Sequence, residues 1–255
     1  MSVKDVARRA VKSLGIDIVR RGKAPEDFSP ADVALLEAVS PYTMTSPERI
    51  FAAANAARYV ADAGVPGAIV ECGVWRGGSS MAMALALQER GAADREMYLF
   101  DTYEGMSAPT EEDKDLRGVA AKGTFERTQT GEDRAAWCIA DVNDVQANLA
   151  RTGYPAGLLH FVKGKVEETL PAQAPAQIAV LRLDTDWYES TKHEMETLYP
   201  RLVPGGVLII DDYGHWQGSR QAVDEYLAAH GVALLLNRID YTGRSAIKPG
   251  AVGNG

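Results

Sequence analysis

Cysteine is nearly absent. Only Cys72 and Cys138 occur in 255 residues, and neither belongs to a CxxC pair or a ligand-spaced cluster, which leaves no disulfide framework or zinc–thiolate site to read and fits a reducing cytoplasm. Positive charge is also short. With 27 Lys and Arg against 35 Asp and Glu the formal net charge is −8, which disfavours docking along a polyanion, so neither nucleic acid nor an anionic membrane is an expected partner. No apolar run is long enough to cross a bilayer, and the start MSVKDVARRAVKSLGIDIVRRGK lacks the continuous apolar core of a secretory signal. Internal repeats and low-complexity linkers are missing too. What remains is 46% hydrophobic and 24% charged, the composition of a soluble domain with a substantial core.

The first residues carry an apolar stripe, Val3, Val6, Ala7, Ala10, Val11 and Leu14, among Lys4, Arg8, Arg9 and Lys12. That spacing predicts a docked or subunit-contacting helix. Prolines at 25, 30, 41 and 47 then cut the chain into short pieces until Ser46 and Pro47 start a helix through Ala63. Residues 1–66 are therefore read as a helical extension and residues 67–255 as the main domain.

From Gly67 strand and helix signals alternate. Strands are expected at 68–72, 97–100, 158–162, 178–183 and 207–210, with 232–238 and 244–248 as a closing pair. Helices are expected at 79–90, 143–151, 187–199 and 217–229. Such alternation implies a doubly wound, mostly parallel α/β sheet covered on both faces. The interval 103–134 is polar and glycine-punctuated, and reads as a lid over the second strand or as a disordered surface segment.

Two acidic stretches follow apolar runs: LRLDTD at Leu181–Asp186 and LIIDDYGH at Leu208–His215. A carboxylate at the end of a buried strand loses several kcal/mol of hydration unless something positive compensates. If the two strands lie side by side, Asp184, Asp211 and Asp212 converge at the carboxyl ends of the sheet, where open α/β folds bind ligands. Three hard oxygen donors there suit Mg²⁺ or a similar ion. Solvated loop acids are the plainer explanation for any one of them alone.

The first strand empties into ECGVWRGGSS, Glu71–Ser80, before a helix. Glycines admit close backbone approach and a helix N-terminus adds partial positive charge, which suits a carboxylate, a phosphate or a nucleoside. Asp101 ends the second strand, where such folds place an acid on ribose hydroxyls. The dinucleotide fingerprint fails because Trp75 stands where it needs glycine, and Glu71 is better placed beside a cationic ligand than a diphosphate.

The segments IVECGVWRGGSS, LFDTYEGM, LRLDTDWYEST and GGVLIIDDYGHWQGSRQAVDEY together resemble the macrocin O-methyltransferase family, over about Tyr42 to Lys248. The resemblance implies a Rossmann-like class I methyltransferase fold with a seven-stranded sheet. It also implies S-adenosylmethionine and a divalent metal, Mg²⁺, as cofactors, and a sugar hydroxyl of a glycosylated natural product as acceptor, in macrolide, aminocoumarin or similar antibiotic biosynthesis. On this resemblance Glu71, Cys72, Gly73, Val74, Gly77 and Ser79 form the methionine-end loop, and Asp101 holds the ribose. Tyr42, Thr43, Met44 and Thr45 close the cofactor site, while Gly164, Lys165 and Val166 lie by the adenine. Asp184 belongs to both cofactor and metal sites, Asp211 and Asp212 complete the metal set, and Asp186 matches a general base. A homodimer or higher homo-oligomer is expected.

His215 is the rival base, since its ordinary titration range suits proton transfer. Trp75, Trp187, Tyr188, Tyr213 and Trp216 are equally readable as sugar-stacking or as packing residues. Arg76 and Arg182 are equally readable as ligand contacts or as partners of neighbouring acids. Three other functions remain open: methylation of a catechol-like diol, a metal-dependent hydrolase, and a non-catalytic nucleoside-binding module.

Overall fold

The computed structural model describes residues 24–250, so the expected helix over residues 3–14 lies outside the described residues. In chain order the strands are β1 (Ala68–Cys72), β2 (Met97–Asp101), β3 (Gln129–Gly131), β4 (Arg134–Ala135), β5 (Leu159–Lys163), β6 (Ile178–Leu183), β7 (Leu202–Ile210), β8 (Asn237–Arg238) and β9 (Arg244–Ile247). The helices are α1 (Pro30–Val39), α2 (Pro47–Asp62), α3 (Gly78–Glu89), α4 (Lys122–Thr128), α5 (Val142–Ala150), α6 (Val166–Thr169), α7 (Tyr188–Thr197) and α8 (Gln217–Ala229).

Seven strands make one sheet in the order β5-β2-β1-β6-β7-β9-β8. The first five are parallel, and β9 pairs antiparallel with both β7 and β8. Every residue of β1 and β6 is buried, as a sheet covered on both faces requires. One apolar cluster joins α1, α2 and α3 to one face, around Ile69, Leu99 and Val180. Another joins α7 and α8 to the opposite face, around Val70, Phe100 and Leu208. The chain winds from β1 outward through β2 to β5, then returns to β6 and winds the other way, so the crevice at the carboxyl ends of β1 and β6 is the switch point of the fold.

Several expectations are corrected. The proline-rich stretch contains a full helix, α1, because Pro30 occupies its first turn and Ser29 and Asp32 form a reciprocal capping box. Strand β7 begins five residues early, at Leu202 rather than Val207, with Pro204 inside an irregularity where the β6 register shifts. The stretch 232–238 is extended only at Asn237–Arg238, and Leu235 is 80% exposed. Of the two readings of the interval 103–134, the disordered segment is the one set aside: α4 and the β3–β4 hairpin build a small cap beside the sheet end.

Candidate active site

A cleft of about 300 Å³ opens over the switch point, within the range of a small-molecule site. Its walls come from the exits of β1, β2, β5, β6 and β7, from residues 42–45, and from the cap.

On the β1–β2 side, backbone sets the shape. Gly73 has φ +81°, and an added Cβ would stand 1.9 Å from the carbonyl oxygen of Asp184, so only glycine lets the β1 and β6 exits touch. Gly77 caps α3 without a side-chain acceptor, and Gly78 and Ser79 of the first turn line the cleft, leaving helix N–H groups for an anionic ligand group. Asp101 fixes this loop from across the sheet: its Oδ2 accepts the N–H of Val74 at 2.7 Å and of Trp75 at 3.0 Å, and its Oδ1 accepts the N–H of Tyr103 at 2.7 Å. Burial pushes the Asp101 carboxyl up, partly offset by those three N–H groups.

On the β6–β7 side, charge sets the shape. Carboxylate oxygens of Asp184, Asp211 and Asp212 lie within 4.8 Å of one another. Asp186, strained at φ +69°, donates its own N–H to Asp212 Oδ2 at 3.2 Å. Beneath them the buried Arg182 reaches Glu71 at 2.6 Å, Asp184 at 2.8 Å and Asp211 at 2.5 Å. Arg49 of α2 takes the other oxygen of Asp211 and lies 3.1 Å from Asp240.

Five clustered carboxylates, Glu71, Asp184, Asp186, Asp211 and Asp212, thus face two guanidiniums. Burial alone would raise Asp211, but the charges of Arg182 and Arg49 outweigh it and hold its carboxyl below the usual range. Asp184 and Asp212 are driven well above it, by burial first; the neighbouring acids add to this in both, and Arg182 opposes it at Asp184. Burial and the Asp184 charge bring Asp186 to about 7, although its hydrogen bond with Asp212 pulls the other way. An excess of hard, partly unneutralised oxygen donors fits a divalent cation such as Mg²⁺.

The cap closes the third side. Trp137 meets Trp187 and Trp216 edge-on, with ring centroids 5.6 and 6.1 Å away, and the Trp187 indole donates to the Ser107 carbonyl at 3.0 Å. Lys165 after β5 pairs with Asp133 of the hairpin, and Lys163 with Glu104 at 2.8 Å, joining the cap to the sheet.

The cleft brings together Tyr42, Thr43, Met44, Thr45, Gly73, Val74, Ser79, Asp101, Gly164, Lys165, Val166, Asp184, Asp186, Asp211 and Asp212. Four expected residues stand behind its wall. Glu71 is 1% exposed and turned onto Ser80 and Arg182. Cys72 packs into the α7–α8 core, its thiol beside Glu194. Gly77 abuts Leu149 of α5, 2.6 Å from where a Cβ would sit. His215 lies outside the lining, edge-on to Trp216 with its Nδ1 3.3 Å from the Tyr241 hydroxyl. Of the aromatics, Trp75 and Trp216 line the cleft, while Tyr188 and Tyr213 bond Glu225 and Asp224 at 2.7 and 2.6 Å. Arg182 and Arg76 serve acids, the latter Asp144 at 2.7 Å.

Sequence reasoning missed Arg49. A signal was present: Ser46 caps α2, and the third helical position, where a capping box carries Glu, holds an arginine against the helix dipole. A cation placed there implies an acid from elsewhere.

The family model for macrocin-O-methyltransferase (TylF) matches residues 26–246. The chain is 38% identical over 180 residues to the 8-demethyl-8-(2,3-dimethoxy-α-L-rhamnosyl)-tetracenomycin-C 4′-O-methyltransferase of Streptomyces olivaceus, covering 71% of this chain and 65% of that protein. It is 32% identical to the mycinamicin III 3″-O-methyltransferase of Micromonospora griseorubida, over 71% of this chain and 68% of that one. The matched part therefore spans about two thirds of these relatives' length. Among solved structures, the O-methyltransferase NovP superposes with a TM-score of 0.72 at 30% identity, covering 82% of this chain and 83% of that one.

Proposed function

The chain belongs to the macrocin O-methyltransferase family, and from that premise we propose that it methylates a sugar hydroxyl of a glycosylated natural product, using S-adenosylmethionine and Mg²⁺. One observation carries the reading: a glycine loop with a free helix N-terminus and a charge-rich acid cluster share a single cleft, joined where Gly73 touches Asp184. The names of the relatives add the acceptor class, since the tetracenomycin and mycinamicin enzymes are both methyltransferases of elaborated natural products and the first name specifies a rhamnosyl group.

When bound, the cofactor supplies an electrophilic methyl group, and the divalent ion supplies the charge that makes a neutral hydroxyl more acidic. The residues do the rest. First-turn N–H groups of α3 receive the cofactor carboxylate, and Asp101, already holding the loop through three N–H groups, keeps one lone pair on Oδ1 for a ribose hydroxyl. Phe100 and Val166 give an apolar seat for a base next to Gly164 and Lys165, and Tyr42, Thr43, Met44 and Thr45 cover the opening. Asp184, Asp211 and Asp212 hold the ion. Asp186 stands beside them in the cleft, and its carboxyl takes the hydroxyl proton. The position of His215 outside the lining favours Asp186 as the base. Trp137 and Trp216 wall the space left for the sugar.

Titration calorimetry and a methyl-transfer assay test this directly. S-adenosylhomocysteine should bind and NAD should not, and EDTA should abolish methylation of rhamnosylated aglycones until Mg²⁺ is returned. NAD binding without any response to S-adenosylhomocysteine would remove the methyltransferase reading. Methylation of free catechols alone would move the acceptor class.

A further inference from the structure

Arg49 reaches two separate anions. Its Nη1 bonds Asp211 Oδ2, and its Nε lies 3.1 Å from Asp240 Oδ2, which also accepts the Ser46 hydroxyl at 2.7 Å. Asp240 belongs to the turn between β8 and β9, and its other oxygen accepts the N–H groups of Thr242 and Gly243 at 2.9 and 2.7 Å. It is therefore a fixed anion. The turn also makes room for the arginine: a Cβ on Gly243 would stand 3.0 Å from the Arg49 Cδ.

Asp211 does not depend on Arg49 for its place. Arg182 holds its Oδ1 at 2.5 Å, and the Thr242 hydroxyl donates to its backbone carbonyl at 2.6 Å. What Arg49 adds is charge, on the oxygen nearest its own helix. A guanidinium and a divalent ion on one carboxylate repel each other, and at the edge of a cleft that repulsion is only partly screened. We propose that Arg49 is a resident competitor of the divalent ion: it neutralises Asp211 while the ion is away and withdraws onto Asp240 when the ion binds. Arg49 and Asp240 together then set how tightly the ion is held. This rests on the reading of Asp184, Asp211 and Asp212 as an ion site.

A purely structural salt bridge predicts the opposite sign, so ion affinity decides. Mg²⁺ and Mn²⁺ are titrated calorimetrically into the full chain without cofactor or acceptor. Arg49→Met should bind the ion about tenfold more tightly than the parent, the effect of removing one nearby like charge, while Arg49→Lys should stay close to the parent. Asp240→Asn keeps an acceptor for the turn but removes the resting place, so ion affinity should fall. In the Arg49→Met background the same Asp240→Asn change should lose most of its effect, because it acts through the arginine. Thermal melts confirm folding, and if Arg49→Met does not fold, Arg49→Gln carries the same prediction. Unchanged or weaker ion binding in a folded Arg49→Met overturns the proposal, as does an Asp240→Asn effect that persists undiminished without Arg49. Absence of ion binding in both parent and Arg49→Met, with S-adenosylhomocysteine still bound, would instead refute the ion site itself and the competitor with it.

Discussion

At the exits of β1 and β2 one carboxylate, Asp101, serves three backbone N–H groups; at the exits of β6 and β7 four carboxylates, Asp184, Asp186, Asp211 and Asp212, crowd around two guanidiniums that also serve Glu71 and Asp240. The first side is organised by the chain's own hydrogen bonds, so it has its shape before any ligand arrives. The second side is left with excess negative charge, which burial makes costly. Its acids respond by holding protons or by demanding a cation. A ligand for the first side should therefore bind with or without metal, whereas chemistry on the second should collapse without it.

The largest effect expected from a single substitution falls on the charged side. Asp186→Asn should keep the fold and the affinity for S-adenosylhomocysteine but lower kcat by about 10²- to 10⁴-fold, the usual worth of a positioned base. Rates at saturating acceptor and cofactor separate this from a binding defect. If His215→Ala instead removes turnover and Asp186→Asn does not, the base is on the other side of Trp216 and the contrast between the two halves needs redrawing.

Both halves were legible in the sequence to different depths. Apolar runs ending in LRLDTD and LIIDD placed β6, β7 and their acids, because a carboxylate after a buried strand has few places to go. The glycine loop was equally clear, but which of its residues face the cleft was not. In β1 every position is buried, so no alternation distinguishes Glu71 and Cys72, which point under the sheet end, from residues that line it. Gly77 reads like a ligand glycine until Leu149, 72 positions away, is found against it. Arg49 and Asp240 are separated by 191 residues, and no local pattern joins them. The cap was half legible, as a lid or a disordered segment, because its polar sequence has few apolar anchors, Ala121, Phe125 and Ala135 among them, and the tryptophans that Ala121 and Met106 pack with, Trp187 and Trp216, are distant in the chain.

A second substitution should sharpen the contrast from the backbone-built side. Asp101→Asn turns one acceptor oxygen into a donor, so either the Val74 and Trp75 N–H groups or the Tyr103 N–H loses its partner. Losing hydrogen bonds to a charged acceptor costs about 1.5–3 kcal/mol each, part of which appears as loop disorder. S-adenosylhomocysteine affinity should fall by about tenfold or more, while Mg²⁺ affinity measured without cofactor stays put. Equal losses for both ligands would mean that the halves are mechanically one unit, coupled through the Gly73–Asp184 contact.

The smallest effect concerns Glu194, which lies under the wall between the halves. It is fully buried, accepts the Thr185 hydroxyl at 3.0 Å on Oε1, and has no nitrogen or oxygen partner on Oε2 among the described residues. Burial pushes its carboxyl well above the ordinary range, the charges of Glu167 and Asp212 push it further, and the Thr185 bond only partly opposes them. The folded protein therefore keeps Glu194 protonated at pH values where the unfolded chain, titrating near about 4.3, has lost that proton. Stability from such a group is fully present below the unfolded value and declines as pH rises toward the folded one. Glutamine stays neutral at every pH. Urea unfolding of the chelated protein should thus find Glu194→Gln close to the parent near about pH 5 and more stable than the parent near about pH 8. Comparing variant with parent at each pH cancels the titration of the cleft acids. A difference that stays constant between the two pH values would mean that Glu194 is ionised in the folded protein, and that the uncompensated charge of the β6–β7 side reaches through the wall into the core behind it.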